Sequence, residues 1–207
     1  MSIPGRPSRS LAGKVAIVTG AGSRGDGIGN GRAIAILLAE DGASVVCVDR
    51  DLALAERTAA MIRDEGRGAA TACRADVSSE ADCAAVVDTA LREHGRVDVL
   101  INNVGVMGAK GTATEADAEE WARGLEVNVT SMVLMAKHAI PAMLRNEPGA
   151  ADGGIRGSIV NMGSVAGLRG GAPSLLYPTS KGAVVNMTRA MAAHHGSQGI
   201  RVNCVCP

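Results

Sequence analysis

The chain has 207 residues, 21 basic and 21 acidic side chains, one tryptophan, one tyrosine and no phenylalanine. That length suits one domain with a substantial core, which must be built from aliphatic side chains. The charge balance leaves no broad field for nucleic acid or anionic lipid, and no stretch approaches the ~20 apolar residues of a membrane helix.

Residues 1–10, "MSIPGRPSRS", lack the apolar core of a signal peptide and read as a flexible tail before a single domain at 11–207. "KVAIVTG" (14–20) is a buried-strand run. "GRAIAILLAEDG" (31–42) has helical composition and a terminal glycine suited to a C-cap. "SVVCVD" (44–49) is a strand and "LALAERTAAMIRDEG" (52–66) a helix. "AATACRAD" (69–76) is a weaker strand. "SEADCAAVVDTALREHG" (79–95) opens with Ser79 and Asp82 at capping-box spacing and closes on Gly95. "VDVLINN" (97–103) is a strand, 114–146 a long helix carrying Pro141, and 148–157 a glycine-rich surface loop. "GSIVNMGS" (157–164) is a strand, 174–195 a helix, and "IRVNCVCP" (200–207) the last strand.

Strands apolar on both faces, alternating with helices, predict an α/β, doubly wound parallel sheet, the Rossmann fold, with six strands. Ligands of such sheets bind beyond the carboxyl ends of the strands. The unusual polar and glycine residues of this chain fall at those ends. Five cysteines at irregular spacing (Cys47, Cys73, Cys83, Cys204, Cys206) predict reduced thiols, with Cys204 and Cys206 on one face. The four histidines show no metal spacing and are expected to be solvated, with His194 and His195 pointing apart.

"TGAGSRGDGIGNG" (19–31) follows the first strand. Glycines there let backbone amides approach a diphosphate at a helix N-terminus. Gly20, Gly22 and Gly25 satisfy G-x-G-x-x-G, a weak signal alone. Asp49 ends the second strand about twenty residues later, where a carboxylate accepts hydrogen bonds from a ribose and repels a 2′-phosphate. NAD(H) is therefore expected over NADP(H), which Arg24 in the loop and Arg50 beside the acid keep as the alternative.

The single tyrosine, Tyr177, stands four residues before Lys181, on one face of a helix. Pro178 suits the first turn and places Tyr177 at the start of the helix. A free phenol is a weak base at neutral pH, and a nearby ammonium favours its ionised form. Such a pair can exchange a proton with an alcohol or carbonyl oxygen. A surface tyrosine beside a solvated lysine is the plainer reading of the pair alone.

Taken together, "TG…GIGNG", Asp49, "NNVG", "EVNVT", "NMGS" and "YPTSK" resemble the classical short-chain dehydrogenase/reductase family, from about residue 11 to the end. The resemblance implies a catalytic tetrad of Asn128, Ser164, Tyr177 and Lys181. It implies a nicotinamide dinucleotide held by Gly20, Ser23, Arg24, Gly27, Ile28 and Gly29 at the diphosphate. Asp49 would hold the ribose, Asp76 and Val77 the adenine, and Asn103, Val104 and Gly105 line the site beside Tyr177 and Lys181. Tyr177 would carry the proton, Lys181 hold the nicotinamide ribose, Ser164 bond the substrate oxygen, and Asn128 hold a water. An NAD(P)-dependent oxidoreductase acting on a secondary alcohol or ketone is implied, cytoplasmic and homo-oligomeric through helices around 114–146 and 174–195. The alternatives are an inactive cofactor-binding protein and an epimerase or dehydratase. No metal is expected.

Two departures stand out. The glycine loop is longer than the family's: six residues separate Gly20 from Gly27, or eight if Gly29-Asn30-Gly31 is the matching triplet, which suits the following "RAIA" better. The pattern also stops after the sixth strand, so the C-terminal strand and substrate lid are expected to be absent and the sixth strand an uncovered edge.

Overall fold

A computed structural model describes residues 10–25, 27–66, 68–148 and 153–207. The expected tail at 1–9, Asp26 of the glycine loop and residues 149–152 of the expected surface loop lie outside the described residues.

Six strands form one parallel sheet: β1 (Val15–Thr19), β2 (Ser44–Asp49), β3 (Ala70–Arg74), β4 (Val99–Asn102), β5 (Gly157–Met162) and β6 (Ile200–Val205). Their order is β3-β2-β1-β4-β5-β6. All five pairings are parallel. The order reverses between β1 and β4, the switch point at which such sheets take ligands. The β-branched runs of β1 and β2 are buried on both faces, because helices cover both.

Helices α1 (Asn30–Glu40) and α2 (Leu52–Asp64) pack Ala35, Ala39, Ala59 and Ile62 on one face, against Ala16, Val18, Val45 and Cys47. Helices α3 (Glu80–His94) and α5 (Ser131–Met143) cover the other face, where Val86, Met135 and Met143 meet Ile17, Val46, Leu100 and Ile159. Helix α6 (Leu176–His195) joins this second layer through Met191 and Ala192. Small alanines on the first face and methionines on the second do the filling that aromatics do elsewhere. Ser79 caps α3 by accepting from the Asp82 amide, and Gly95 ends it at φ +77°.

Three expectations need correction. The long helix expected at 114–146 starts later and is not uniform. Asp117 caps α4 (Ala118–Leu125), a π-helical turn spans Glu126–Thr130, and α5 continues through Pro141 to Met143. The first residues are lost because Glu115 turns back onto Thr112, where its carboxylate accepts from the amide at 2.9 Å. The third strand ends at Arg74, so Asp76 sits in the following turn. The histidines are not all solvated. His94 and His138 are half-buried, and the rings of His194 and His195 meet edge to face with centroids 6.2 Å apart.

One close approach fixes α1 against the sheet. A Cβ on Gly31 would collide with the Gly20 carbonyl oxygen and come within 2.6 Å of Asn103 Nδ2. Gly31→Ala is expected to lower stability by about 3 kcal/mol, the scale of an overpacked core. Urea unfolding followed by circular dichroism checks it; a loss below about 0.5 kcal/mol, the range of neutral surface changes, contradicts it.

Candidate active site

The rim above β1 and β4 is built around Asn103. Its amide donates to Thr19 Oγ1 at 3.0 Å, and its Nδ2 donates to the carbonyls of Thr19 and Gly20, both at 3.1 Å. Asn103 therefore ties the end of β4 to the start of the glycine loop. Gly20 adopts φ +63°, which lets the chain turn away from β1. Gly22 passes so close to β2 that a Cβ would lie 2.6 Å from the Asp49 carboxylate. Asp49 accepts from the amides of Gly22 and Asp51, each at 3.1 Å.

The loop then bulges outward, with Arg24, Gly25, Gly27 and Ile28 exposed and Ile28 63% so. Ser23 turns inward and its Oγ accepts from the Gly29 amide at 3.2 Å. The close packing of Gly31 on Gly20 places the second register, Gly29-Asn30-Gly31, at the start of α1. Gly27 and Ile28 thus lie on the outward bulge.

Composition gave little sign of Arg32. This guanidinium is buried, 1% exposed, under the bulge. It donates to the Gly27 carbonyl at 2.8 Å, the Ser23 carbonyl at 3.3 Å and Thr58 Oγ1 at 3.0 Å. Thr58 donates onward to the Ala21 carbonyl at 2.8 Å. Carbonyls of the loop are thereby gathered inward. The one sequence signal was an arginine immediately after the last loop glycine, at the head of an alanine-rich helix.

The residues fit a dinucleotide. Helices α2, α3 and α4 each have a side-chain N-cap, from Asp51, Ser79 and Asp117. Helix α1 has glycine at its N-cap, no side-chain cap bond and no acid in its first turn. Its first amides are left to face an anion such as a diphosphate. Asp76, exposed in the turn after β3, accepts from the amide and hydroxyl of Ser78 at 3.0 and 2.6 Å. Those bonds hold its carboxyl below the ordinary range. Val77 is buried beneath it.

On the other side of the switch point lie the elements that carry Asn128, Ser164, Tyr177 and Lys181. Asn128 lies in the π-helical turn, fully buried. Its Oδ1 accepts from the Val106 amide and its Nδ2 donates to the Val106 carbonyl, both at 2.8 Å, and to Ser180 Oγ at 3.0 Å. Ser180 Oγ donates back to the Tyr177 carbonyl at 2.8 Å. The Asn128 side chain is thus a strut from the loop after β4 to the first turn of α6.

Lys181 is buried, 3% exposed, and its Nζ donates to the Met162 carbonyl at 2.7 Å. Burial lowers its pKa. The Tyr177 ring centroid is 5.7 Å from that nitrogen. Gly105 leaves room for the ammonium, since a Cβ there would stand 3.2 Å from Nζ. Ser164 ends the strap after β5, half-buried, and its Oγ caps a 3₁₀ turn (Val165–Gly167) by accepting from the Ala166 amide at 3.2 Å. Leu176, just before Tyr177, is a knob that a Cβ on Gly108 or Gly124 would strike. Its seat sets where α6 begins. Val104 packs into the core below the rim.

A family model described as short chain dehydrogenase matches residues 14–207. The chain belongs to this family. It is 41% identical to 2-(S)-hydroxypropyl-CoM dehydrogenase 3 of Xanthobacter autotrophicus, over 97% of this chain and 72% of that one. A short-chain dehydrogenase/reductase structure from Burkholderia xenovorans superposes with a TM-score of 0.86 at 41% identity, covering 97% of this chain and 76% of that one. A 7α-hydroxysteroid dehydrogenase complexed with NADH and 7-oxo glycochenodeoxycholic acid superposes with a TM-score of 0.85 at 34% identity, covering 97% and 72%. The chain is thus an oxidoreductase of a family that uses a nicotinamide cofactor and acts on secondary alcohols.

Replacing Arg32 by methionine is expected to release the loop carbonyls and weaken NADH binding roughly tenfold, the scale of one charged hydrogen bond. Arg32→Lys should recover part of the loss. Fluorescence titration with NADH reads both; equal affinity in the wild type and Arg32→Met would contradict the assignment.

Proposed function

We propose that this chain moves a hydride between NAD(H) and a secondary alcohol or ketone, with Tyr177 carrying the proton. The observation that bears most weight is the buried Lys181 ammonium, delivered from α6 to the strand-end rim on the same face as Tyr177. A nicotinamide dinucleotide bound along the rim supplies the hydride acceptor or donor.

In the oxidative direction Tyr177 takes the hydroxyl proton as the substrate carbon loses hydride; in the reductive direction it returns the proton. The Lys181 ammonium favours negative charge on the phenol oxygen while the proton is in transit. One of its three donors is held by Met162, so the others are free for ribose hydroxyls. Ser164 orients the substrate oxygen, and Asn128 holds the loop after β4 and the first turn of α6 in register. Asn128 spends both its amide donors on that strut, leaving only acceptor capacity for a water.

NAD(H) is favoured over NADP(H) by charge. The hollow beside the end of β2 is lined by Arg50 and Arg74, but also by Asp51, Asp76 and Asp82. Asp49 adds a further carboxylate at the strand end. Acids outnumber cations where a 2′-phosphate would lie. The outer rim of the site is apolar: Val106, Met107, Val165, Leu168 and Leu175 are exposed large side chains on the loops after β4 and β5. A substrate with an aliphatic or alicyclic body suits that rim.

The sheet runs unbroken from β3 at one edge to β6 at the other, which favours one domain over 11–207. Five free thiols support a reducing, cytoplasmic setting. Among the described residues no helix is long and apolar enough to cross a membrane. A homo-oligomer through α4, α5 and α6 completes the proposal.

Tyr177→Phe is expected to cut turnover of ketones with NADH by about 10³-fold while NADH affinity changes little. Substantial remaining turnover would remove Tyr177 from the proton path. Asp49→Ala should weaken NADH binding about tenfold and NADPH binding less. Parallel titrations decide it, and equal losses for the two cofactors would sink the NAD(H) assignment.

A further inference from the structure

The carboxyl end of β6 carries two thiols that the proposed reaction does not use. Cys204 and Cys206 lie on one side of the chain with their sulfurs 3.7 Å apart. Both are free and half-buried. Residues two apart on an extended chain have Cα atoms about 6.6 Å apart, inside the upper limit for a disulfide.

Gly163 makes the pair consequential. A Cβ there would lie 2.7 Å from the Cys204 sulfur and 2.8 Å from the Cys206 sulfur, so both sulfurs rest on this glycine. Gly163 stands between Met162, whose carbonyl holds Lys181, and Ser164. The segment is further held by two rungs from the thiol-bearing strand. The Gly163 amide donates to the Val205 carbonyl at 2.7 Å, and the Val165 amide donates to the Pro207 carbonyl at 2.9 Å. Drawing the two sulfurs together must shift Val205 between them, the acceptor of the first rung.

We propose that Cys204 and Cys206 form a reversible thiol–disulfide site, closed by small disulfides of the glutathione class, whose closure loosens the 163–167 segment that seats Lys181 and Ser164. One protein thiolate attacks a sulfur of the oxidant and expels one small thiol. The second thiolate attacks the protein sulfur of that mixed disulfide and expels the other. The protein loses two protons and two electrons and gains one S–S bond; the oxidant's S–S bond is reduced to two thiols. A ring closed across a single residue is strained, so dithiothreitol reverses it readily. Burial pushes the Cys204 thiol up, which makes closure slow at neutral pH. Cys47 and Cys83 are buried with thiols pushed up to about 12 and about 11, and serve as internal controls that stay reduced.

The test stands apart from catalysis, because it reads thiols and backbone rather than turnover. The chain is incubated with glutathione disulfide, alkylated, and mapped by peptide mass spectrometry, with amide hydrogen exchange followed over 157–168. The expected result is a peptide carrying Cys204 and Cys206 two hydrogens lighter. Exchange at 163–167 should be faster by roughly tenfold, the scale of one lost hydrogen bond, and dithiothreitol should restore both. Cys206→Ser should show neither change; if that variant folds poorly, the dithiothreitol reversal in the unaltered chain is the control. Full alkylation of both thiols, or a persistent glutathione adduct without ring closure, overturns the site. A closed disulfide with unchanged exchange overturns its coupling to the 163–167 segment.

Discussion

A buried ammonium is the most demanding group in this fold, and the rim is arranged around it. Among the described residues no carboxylate pairs with the Lys181 nitrogen; it has the Met162 carbonyl at 2.7 Å. A charge buried against a neutral acceptor is tolerated only where the acceptor cannot move away. Met162 ends β5, and that strand is held on both sides by β4 and β6. The approach is cleared by glycines. Gly105 leaves space beside the nitrogen, and Gly167 lets the 3₁₀ turn lie directly on the α6 backbone, where a Cβ would stand 2.5 Å from the Lys181 carbonyl carbon.

The same helix is fixed from within by amides. Asn102 donates to Asn161 Oδ1 at 2.9 Å, and Asn161 donates to Thr188 Oγ1 at 3.0 Å. Two asparagines directly opposite each other on β4 and β5 thus carry a polar rung through an aliphatic core to α6. An apolar pair would bury as well but would leave α6 free to slide, whereas satisfied buried amides accept one register. Thr188 is two turns beyond Lys181 on the same face, so that register places the ammonium. With almost no aromatics to lock the packing by shape, hydrogen bonds inside the core supply the direction that methionine and alanine do not.

The order of elements and the strand-end rim were legible because burial on both faces leaves continuous β-branched runs, as in "SVVCVD". Spacing on a helix gave Tyr177 and Lys181 a shared face, but only the resemblance of "YPTSK" and the motifs around it to the family singled the pair out from a surface tyrosine and a solvated lysine. The loop register was legible in part: 19–31 offers glycines at many spacings, and only the following "RAIA" favoured Gly29-Asn30-Gly31. The contact of Gly31 with the Gly20 carbonyl, an atom with no sequence signature, is what singles it out. The π turn at Asn128 was hidden for a related reason. "EVNVT" has helical neighbours on both sides, and its extra residue is stabilised by Val106, twenty-two positions away. Arg32 drew no reading from the sequence, because nothing local shows that a bulge will fold over it.

That bulge bears on how a longer loop still serves a dinucleotide. An insertion adds conformational entropy where amides need to be pre-aligned. Arg32 opposes this by holding the Ser23 and Gly27 carbonyls, at opposite sides of the insert. Among the described residues the acceptors of this cation are all neutral; neither carbonyls nor Thr58 cancel its charge. Beside it α1 begins without a cap or an acid in its first turn. A buried positive charge and an uncapped helix N-terminus reinforce each other unfavourably in the empty protein and favourably once a diphosphate lies between loop and helix. The insertion therefore need not weaken the site. The Ser23 and Gly27 carbonyls gathered onto the guanidinium are turned away from the place an anion would take, and the Gly25 carbonyl is held by Arg57.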